Sequence, residues 1–171
     1  MNWIEKVKYL IERDENEQPG DPFFYDVCFS GNCWQPGEIN EIIQEYPWLP
    51  KSYLDFIAEF DGISIAFLRF YGSKNGDAIP LYEILNESKP YLKDDYFPFG
   101  RDPGGSNFIM NKNGQIFLWD EWDYEFEEEP KWLANSMEEF LDECILGKRY
   151  AEFNKIEKDN YYNFLKSMDW A

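Results

Sequence analysis

A chain of 171 residues that is 44% hydrophobic and carries 15 Phe, 12 Tyr and 7 Trp can bury a core of its own. It fits the roughly 100–200 residues of one domain, and its composition excludes intrinsic disorder. Its 34 acidic residues against 16 basic ones give a formal net charge of -18 with no histidine, a field that repels nucleic acid and anionic membrane surfaces and attracts basic partners.

Trp3, Ile4, Val7, Leu10 and Ile11 recur at helical spacing with charged residues between them, which predicts an amphipathic helix over 3–13. The stretch from Asp14 to Pro22 holds Pro19, Gly20 and Pro22 and reads as a loop, and Phe23 to Phe29 as an extended piece. Pro36 at a first turn, followed by Ile39, Ile42, Ile43 and Tyr46, predicts a helix over 36–46 that Pro47 and Pro50 stop. Ser52 is suited to cap the next helix, with Leu54, Ile57 and Ala58 inward and Gly62 at its end. Ser64 to Tyr71 reads as one strand, and Leu81 to Asn86 as a short helix.

In the second half, Phe97 to Gly100, Phe108 to Asn111, Gln115 to Trp119 and Tyr124 to Glu127 read as short strands. Asn113 and Gly114 are expected at the two central positions of a tight hairpin. Met137, Phe140, Leu141, Cys144 and Ile145 then return to helical spacing, with Asn135 or Ser136 as cap and Gly147 as stop. Tyr150 to Trp170 is expected to form a further helix with Phe153, Ile156, Phe164 and Leu165 inward.

Two segments of this pattern resemble a known family. The first is a helix, then Leu49-Pro50, Tyr53 and Phe56 in a second helix, and Gly62 at its end. The second is Gly104-Gly105, an extended Asn107 to Asn111, the Asn113-Gly114 turn, Gln115 to Trp119, and Ala134-Asn135-Ser136 leading into Phe140-Leu141. In this order they resemble the SUKH superfamily, also described as Smi/Knr-like, most strongly over 36–146 of a single domain spanning 1–171. The chain departs from many members in carrying Ser106-Asn107 after the glycine pair and no histidine near the last central strand. The resemblance implies an α+β (mixed α/β) fold with a central, mostly antiparallel or mixed sheet flanked by amphipathic helices. It also implies a non-catalytic immunity protein that binds and neutralises a cognate bacterial toxin, often a nuclease. The alternative it leaves open is a Smi/Knr-like regulatory adaptor or scaffold.

From Asp120 to Glu143 eleven carboxylates stand against Lys131 alone, interleaved with Trp119, Trp122, Tyr124, Phe126 and Trp132. Aromatic anchors among carboxylates suit a basic protein partner. The expected contact residues are Asp120, Glu121, Trp122, Asp123, Tyr124, Glu125 and Glu127, with Trp122 or Tyr124 as anchor. Strand alternation makes Trp119 and one of those two aromatics equally suited to the core.

Enzymatic work would have to proceed without histidine, by a carboxylate pair such as Asp102 with Asp120 or Glu121. No catalytic residue, cofactor or metal is expected. Cys28, Cys33 and Cys144 are an odd set without zinc-ligand spacing and read as neutral or buried thiols of a reducing cytoplasm. The first residues lack a leader pattern, and the strongest apolar run, Ile63 to Tyr71, falls short of the about 18 residues a membrane-spanning helix needs. The expectation is a cytoplasmic protein with a toxin as partner and neither nucleic acid nor membrane.

Overall fold

The computed structural model of the protein describes residues 1–16, 27–29, 31–88, 92, 95–120, 129–154 and 159–171, with only the backbone of Cys28. The first helix, α1 (Trp3–Glu15), opens on a capping box. Asn2 accepts from the Glu5 backbone N–H while the Glu5 side chain accepts from that of Asn2, satisfying two of the helix's orphan donors. Trp3, Val7 and Leu10 are buried along its inner face.

Two short helices follow, α2 (Glu38–Glu45) and α3 (Lys51–Glu59). Gly37, at φ 106, precedes α2, so the helix starts two residues later than Pro36 suggests. Pro50 occupies the position before α3 and makes no side-chain cap; Ser52 lies inside the helix instead. The inward face of α3 is Tyr53, Phe56 and Ile57, while Ala58 is exposed. Large aromatic side chains therefore set the rotation of this helix, and the apolar spacing read through Ala58 was the weaker signal.

Among the described residues, seven strands form one sheet in chain order: β1 (Val27–Cys28), β2 (Ser64–Ile65), β3 (Leu68–Phe70), β4 (Tyr96–Arg101), β5 (Asn107–Asn111), β6 (Ile116–Trp119) and β7 (Lys131–Ala134). Every neighbouring pair is antiparallel. The single strand expected over Ser64 to Tyr71 is two strands, because the chain reverses at Ala66 (φ 48) and Phe67 (φ 67). Two consecutive left-handed residues give the twist that a two-residue hairpin needs, but here without glycine or asparagine.

At the next hairpin the Asn113-Gly114 signal is shifted by one residue. The Gly114 N–H donates to the Asn111 carbonyl, so Lys112 and Asn113 are the central residues. Gly114 takes φ 78 after them, the three-residue loop in which a left-handed glycine follows a type I turn. Asn111 Oδ1 accepts from the Asn113 and Gln115 backbone N–H groups and holds the loop.

The helices α4 (Leu81–Ser88), α5 (Met137–Glu139, continued by a π-helical stretch over Phe140–Ile145), α6 (Tyr150–Asn154) and α7 (Asn160–Ser167) complete the chain. Ser136 caps α5 by accepting from the Glu139 N–H. All five apolar residues expected on its inner face are buried. Residues 150–170 do not form one helix, because Asp159 is extended and caps a new start by accepting from the Tyr162 N–H.

The helices pack on one face of the sheet through rings. Tyr53 meets Phe97 and Phe99, Phe56 meets Phe70, and Phe140 meets Phe99 and Phe108. The chain ends join this cluster. Tyr9 stacks on Phe164 at 6.5 Å and meets Trp170 edge to face, and Lys6 pairs with Asp142 at 3.1 Å. One cluster of buried side chains thus runs from Trp3 to Leu165.

Behind α3 lies a buried polar hub. Asp61, 6% exposed, accepts from the Ser73 N–H at 2.6 Å and the Cys33 N–H at 2.9 Å. Gly62 (φ 63) and Gly72 let the two loops approach so closely that a Cβ on Gly62 would fall 2.1 Å from Ala78 Cβ. The glycine that ends α3 is therefore required by packing as well as by its backbone angle.

Candidate functional site

The face of the sheet turned away from the helices is fixed by register. Paired residues of antiparallel strands project to the same side. The pairs Ile109–Phe117 and Phe117–Trp132 place those three side chains together, Asn107–Trp119 adds a second row, and Tyr96–Asn111 a third. Ile109 and Trp119 are buried, Tyr96 and Phe117 half-buried, and Trp132 is 43% exposed. Tyr96 and Phe117 meet edge to face at 5.9 Å. The Arg149 guanidinium lies 5.1 Å over the Trp132 ring, a cation–π contact that fixes the indole while leaving part of it in solvent.

Carboxylates border this aromatic face. Asp120 is exposed at the end of β6, and Glu129 is exposed two residues before β7. Burial, followed by the Glu129 and Asp95 carboxylates, pushes the Tyr96 phenol upward, so its hydroxyl remains a neutral hydrogen-bonding group. Lys112 pairs with Asp95 across a small cleft of about 300 Å³ bounded by Tyr96 and Asn111.

Of the contact residues expected from sequence, Asp120 stands at the margin of this face. Glu121, Trp122, Asp123, Tyr124, Glu125 and Glu127 lie outside the described residues, as does the strand expected over 124–127. Trp119 is buried, but on the sheet face turned away from the helices and outside the main core cluster. The acidic run does not continue as one surface to Glu143. Glu139 accepts from the Asn135 backbone and side-chain amides and pairs with Arg149 at 3.5 Å, and Asp142 pairs with Lys6. These two carboxylates hold α5 against its neighbours.

A second acidic and aromatic surface, missed in the sequence, lies between α2 and α4. Glu38, Glu41 and Glu45 descend one side of α2 toward Trp34, Tyr46 and Tyr82, lining a cavity of about 340 Å³ with Ile42 and Leu85. Glu38 is committed to the fold, accepting from the Gln35 N–H and pairing with Lys74 at 3.7 Å. Glu41 is exposed, and Tyr82 is 66% exposed. Carboxylates beside aromatic rings attract a cationic side chain by both charge and ring quadrupole. The three-and-four spacing of the glutamates was visible in α2, but the partner rings come from elements up to about forty positions away, which only folding brings together.

The remaining candidate chemistry resolves into structure. Asp102 accepts from the Ser106 N–H at 2.9 Å, and its carbonyl accepts from the Gly105 N–H, so it holds the β4–β5 turn. Asn107, buried, accepts from the Tyr71 hydroxyl. The Ser106-Asn107 pair after the glycines thus serves turn and sheet packing. Cys33 and Cys144 are free thiols. Burial pushes the Cys144 thiol up to about 11, against a smaller lowering by Arg149. Among the described residues no helix is long and apolar enough to cross a membrane.

The order of α2, α3, the glycine-ended loop and the antiparallel strands is matched over residues 35–143 by the model of the SMI1 / KNR4 family (SUKH-1). The chain belongs to that family. No curated protein matches it in sequence. The SUKH-1 match covers β2 to β7, the aromatic face and all of the α2–α4 cavity lining except Trp34. It leaves α1, β1, α6 and α7 outside. In this SUKH-1 protein those flanking helices seal the core through Tyr9, Phe164 and Trp170.

Proposed function

We propose that this SUKH-1 protein is a non-catalytic, cytoplasmic immunity protein that binds and neutralises a basic bacterial toxin of the nuclease type. Family membership supports an immunity role. The observation that carries the reading is the presence of aromatic rings and exposed carboxylates on the same surfaces in a chain of net charge -18, Glu129 beside Tyr96 on the aromatic face and Glu41 with Tyr82 at the α2–α4 cavity. A nuclease that grips phosphates carries a basic surface, and an acidic inhibitor opposes it directly and speeds encounter. Within the contact strip, Asp120, Glu121, Asp123, Glu125 and Glu127 steer the approach, and Trp122 or Tyr124 joins Trp132 as anchor.

Pull-down of the tagged protein from its own bacterium at low and high salt tests the role. A basic toxin domain should be recovered, and less of it at high salt, because charges steering across solvent are screened beyond about 8 Å at physiological ionic strength. With that toxin in hand, the triple variant E121K/D123K/E125K should weaken binding at least tenfold. Unchanged affinity would remove the strip from the interface. Recovery of housekeeping proteins alone at both salts would favour the adaptor reading.

A further inference from the structure

Two arginines oppose each other in a molecule of net charge -18. Arg69 of β3 and Arg101 of β4 are register partners, so their side chains leave the sheet on the same side from neighbouring strands. Like charges directly opposite each other destabilise a sheet. No carboxylate of the described residues lies within ion-pairing distance of either guanidinium, although Lys6, Lys8, Lys51, Lys74, Lys112 and Arg149 all have such partners. Arg69 is exposed and Arg101 half-buried.

Arg69 and Arg101 both line a cavity of about 830 Å³ bounded by Phe67, Asp77 and the Asp102–Gly105 turn. Asp102 is already engaged by the Ser106 N–H, whereas Asp77 is exposed at the margin. Phe67 is 60% exposed and sits at φ 67 in the β2–β3 turn. A left-handed conformation is unfavourable for a residue that carries a Cβ. An exposed ring held at that cost buries little in return within the chain itself, which directs attention to what it covers from outside.

We propose that this cavity binds the C-terminal carboxylate of a peptide or protein partner. Two guanidinium forks match a planar carboxylate. Phe67 offers a ring to the terminal side chain, and Asp77 an acceptor for the terminal residue's amide N–H. A dianion is the poorer fit, because Asp77, Asp102 and the net charge of -18 oppose each added negative charge. The inference is independent of the toxin-binding reading, which concerns a partner's cationic groups, although the Arg69–Arg101–Asn107–Trp119 row lies on the same sheet face as the aromatic site.

The test is an NMR titration of the full chain with N-acetyl-phenylalanine, N-acetyl-phenylalaninamide and inorganic phosphate, observing the side-chain signals of Arg69 and Arg101. N-acetyl-phenylalanine should shift both signals saturably. The amide, lacking the carboxylate, should bind at least tenfold more weakly, as should phosphate, and R101Q or R69Q should weaken N-acetyl-phenylalanine by a similar factor. Thermal unfolding of R101Q should match or exceed that of the parent, since the substitution relieves like-charge repulsion. Equal binding of the amide, preference for phosphate, absence of saturable shifts, or marked destabilisation of R101Q would each overturn the proposal, the last by making Arg101 a structural residue.

Discussion

Asp61 bears directly on stability at the scale of single residues. Its two oxygens satisfy the N–H groups of Cys33 and Ser73 at a site 6% exposed. Truncation leaves both donors without their charged acceptor, and hydrogen bonds to charged groups contribute about 1.5–3 kcal/mol each when lost from the interior. Asp61→Ala is therefore expected to lower unfolding free energy by about 2–4 kcal/mol, read as a lower urea midpoint at unchanged slope. A loss under about 0.5 kcal/mol would assign the loop geometry to Gly62 and Gly72 alone. The sequence offered Gly62 as a helix end and did not single out Asp61. The carboxylate's role depends on Cys33 and Ser73, which share no local pattern with it.

Among the elements, the β2–β3 hairpin has the least typical turn. Ala66 and Phe67 occupy left-handed backbone where Asn-Gly is the usual choice. Phe67→Gly removes a Cβ penalty without emptying the core, because the ring is 60% exposed, and should stabilise the protein by about 1 kcal/mol. Chemical denaturation of the two proteins side by side checks this. A destabilised variant would show that the ring packs usefully within the chain and would remove the strain argument made for it. Elements with strong local signals were legible: α1 from its apolar spacing, α5 from Ser136 and five periodic apolar residues, and β4 to β6 from short aromatic runs. The split of Ser64–Tyr71 was not, because a turn built from Ala and Phe carries no glycine or asparagine to announce it. β7 also escaped, since Lys131–Ala134 gains its strand character from pairing with β6 rather than from composition.

For the whole molecule, the buried neutral groups set a response to alkaline pH. The Cys144 thiol rises from its ordinary 9.0 to about 11 chiefly through burial, and burial also pushes the Tyr53 phenol upward. Both groups keep their protons longer in the folded protein than in the unfolded chain. The folded state then binds more protons, so stability falls as pH rises. For Cys144 the stabilisation is present below the ordinary thiol value of 9.0 and is lost as pH rises from there through about 11. Urea unfolding from pH 8 to 11 should show this decline, and Cys144→Ala should flatten it. Equal slopes in the two proteins would mean that this thiol does not contribute.

The sequence by itself determined the charge of -18, the acidic and aromatic character of the strip from Asp120, the helix–glycine–strand order that the SUKH-1 match confirms, and the amphipathic faces of α1 and α5. These are properties of composition or of neighbours within one or two helical turns. Tertiary structure alone decided that Glu139 and Asp142 serve ion pairs of the fold, that α2 and α4 form an acidic aromatic cavity, and that Arg69 faces Arg101. Each joins residues from separate elements, and strand register and helix docking follow from how the large rings fill one shared core.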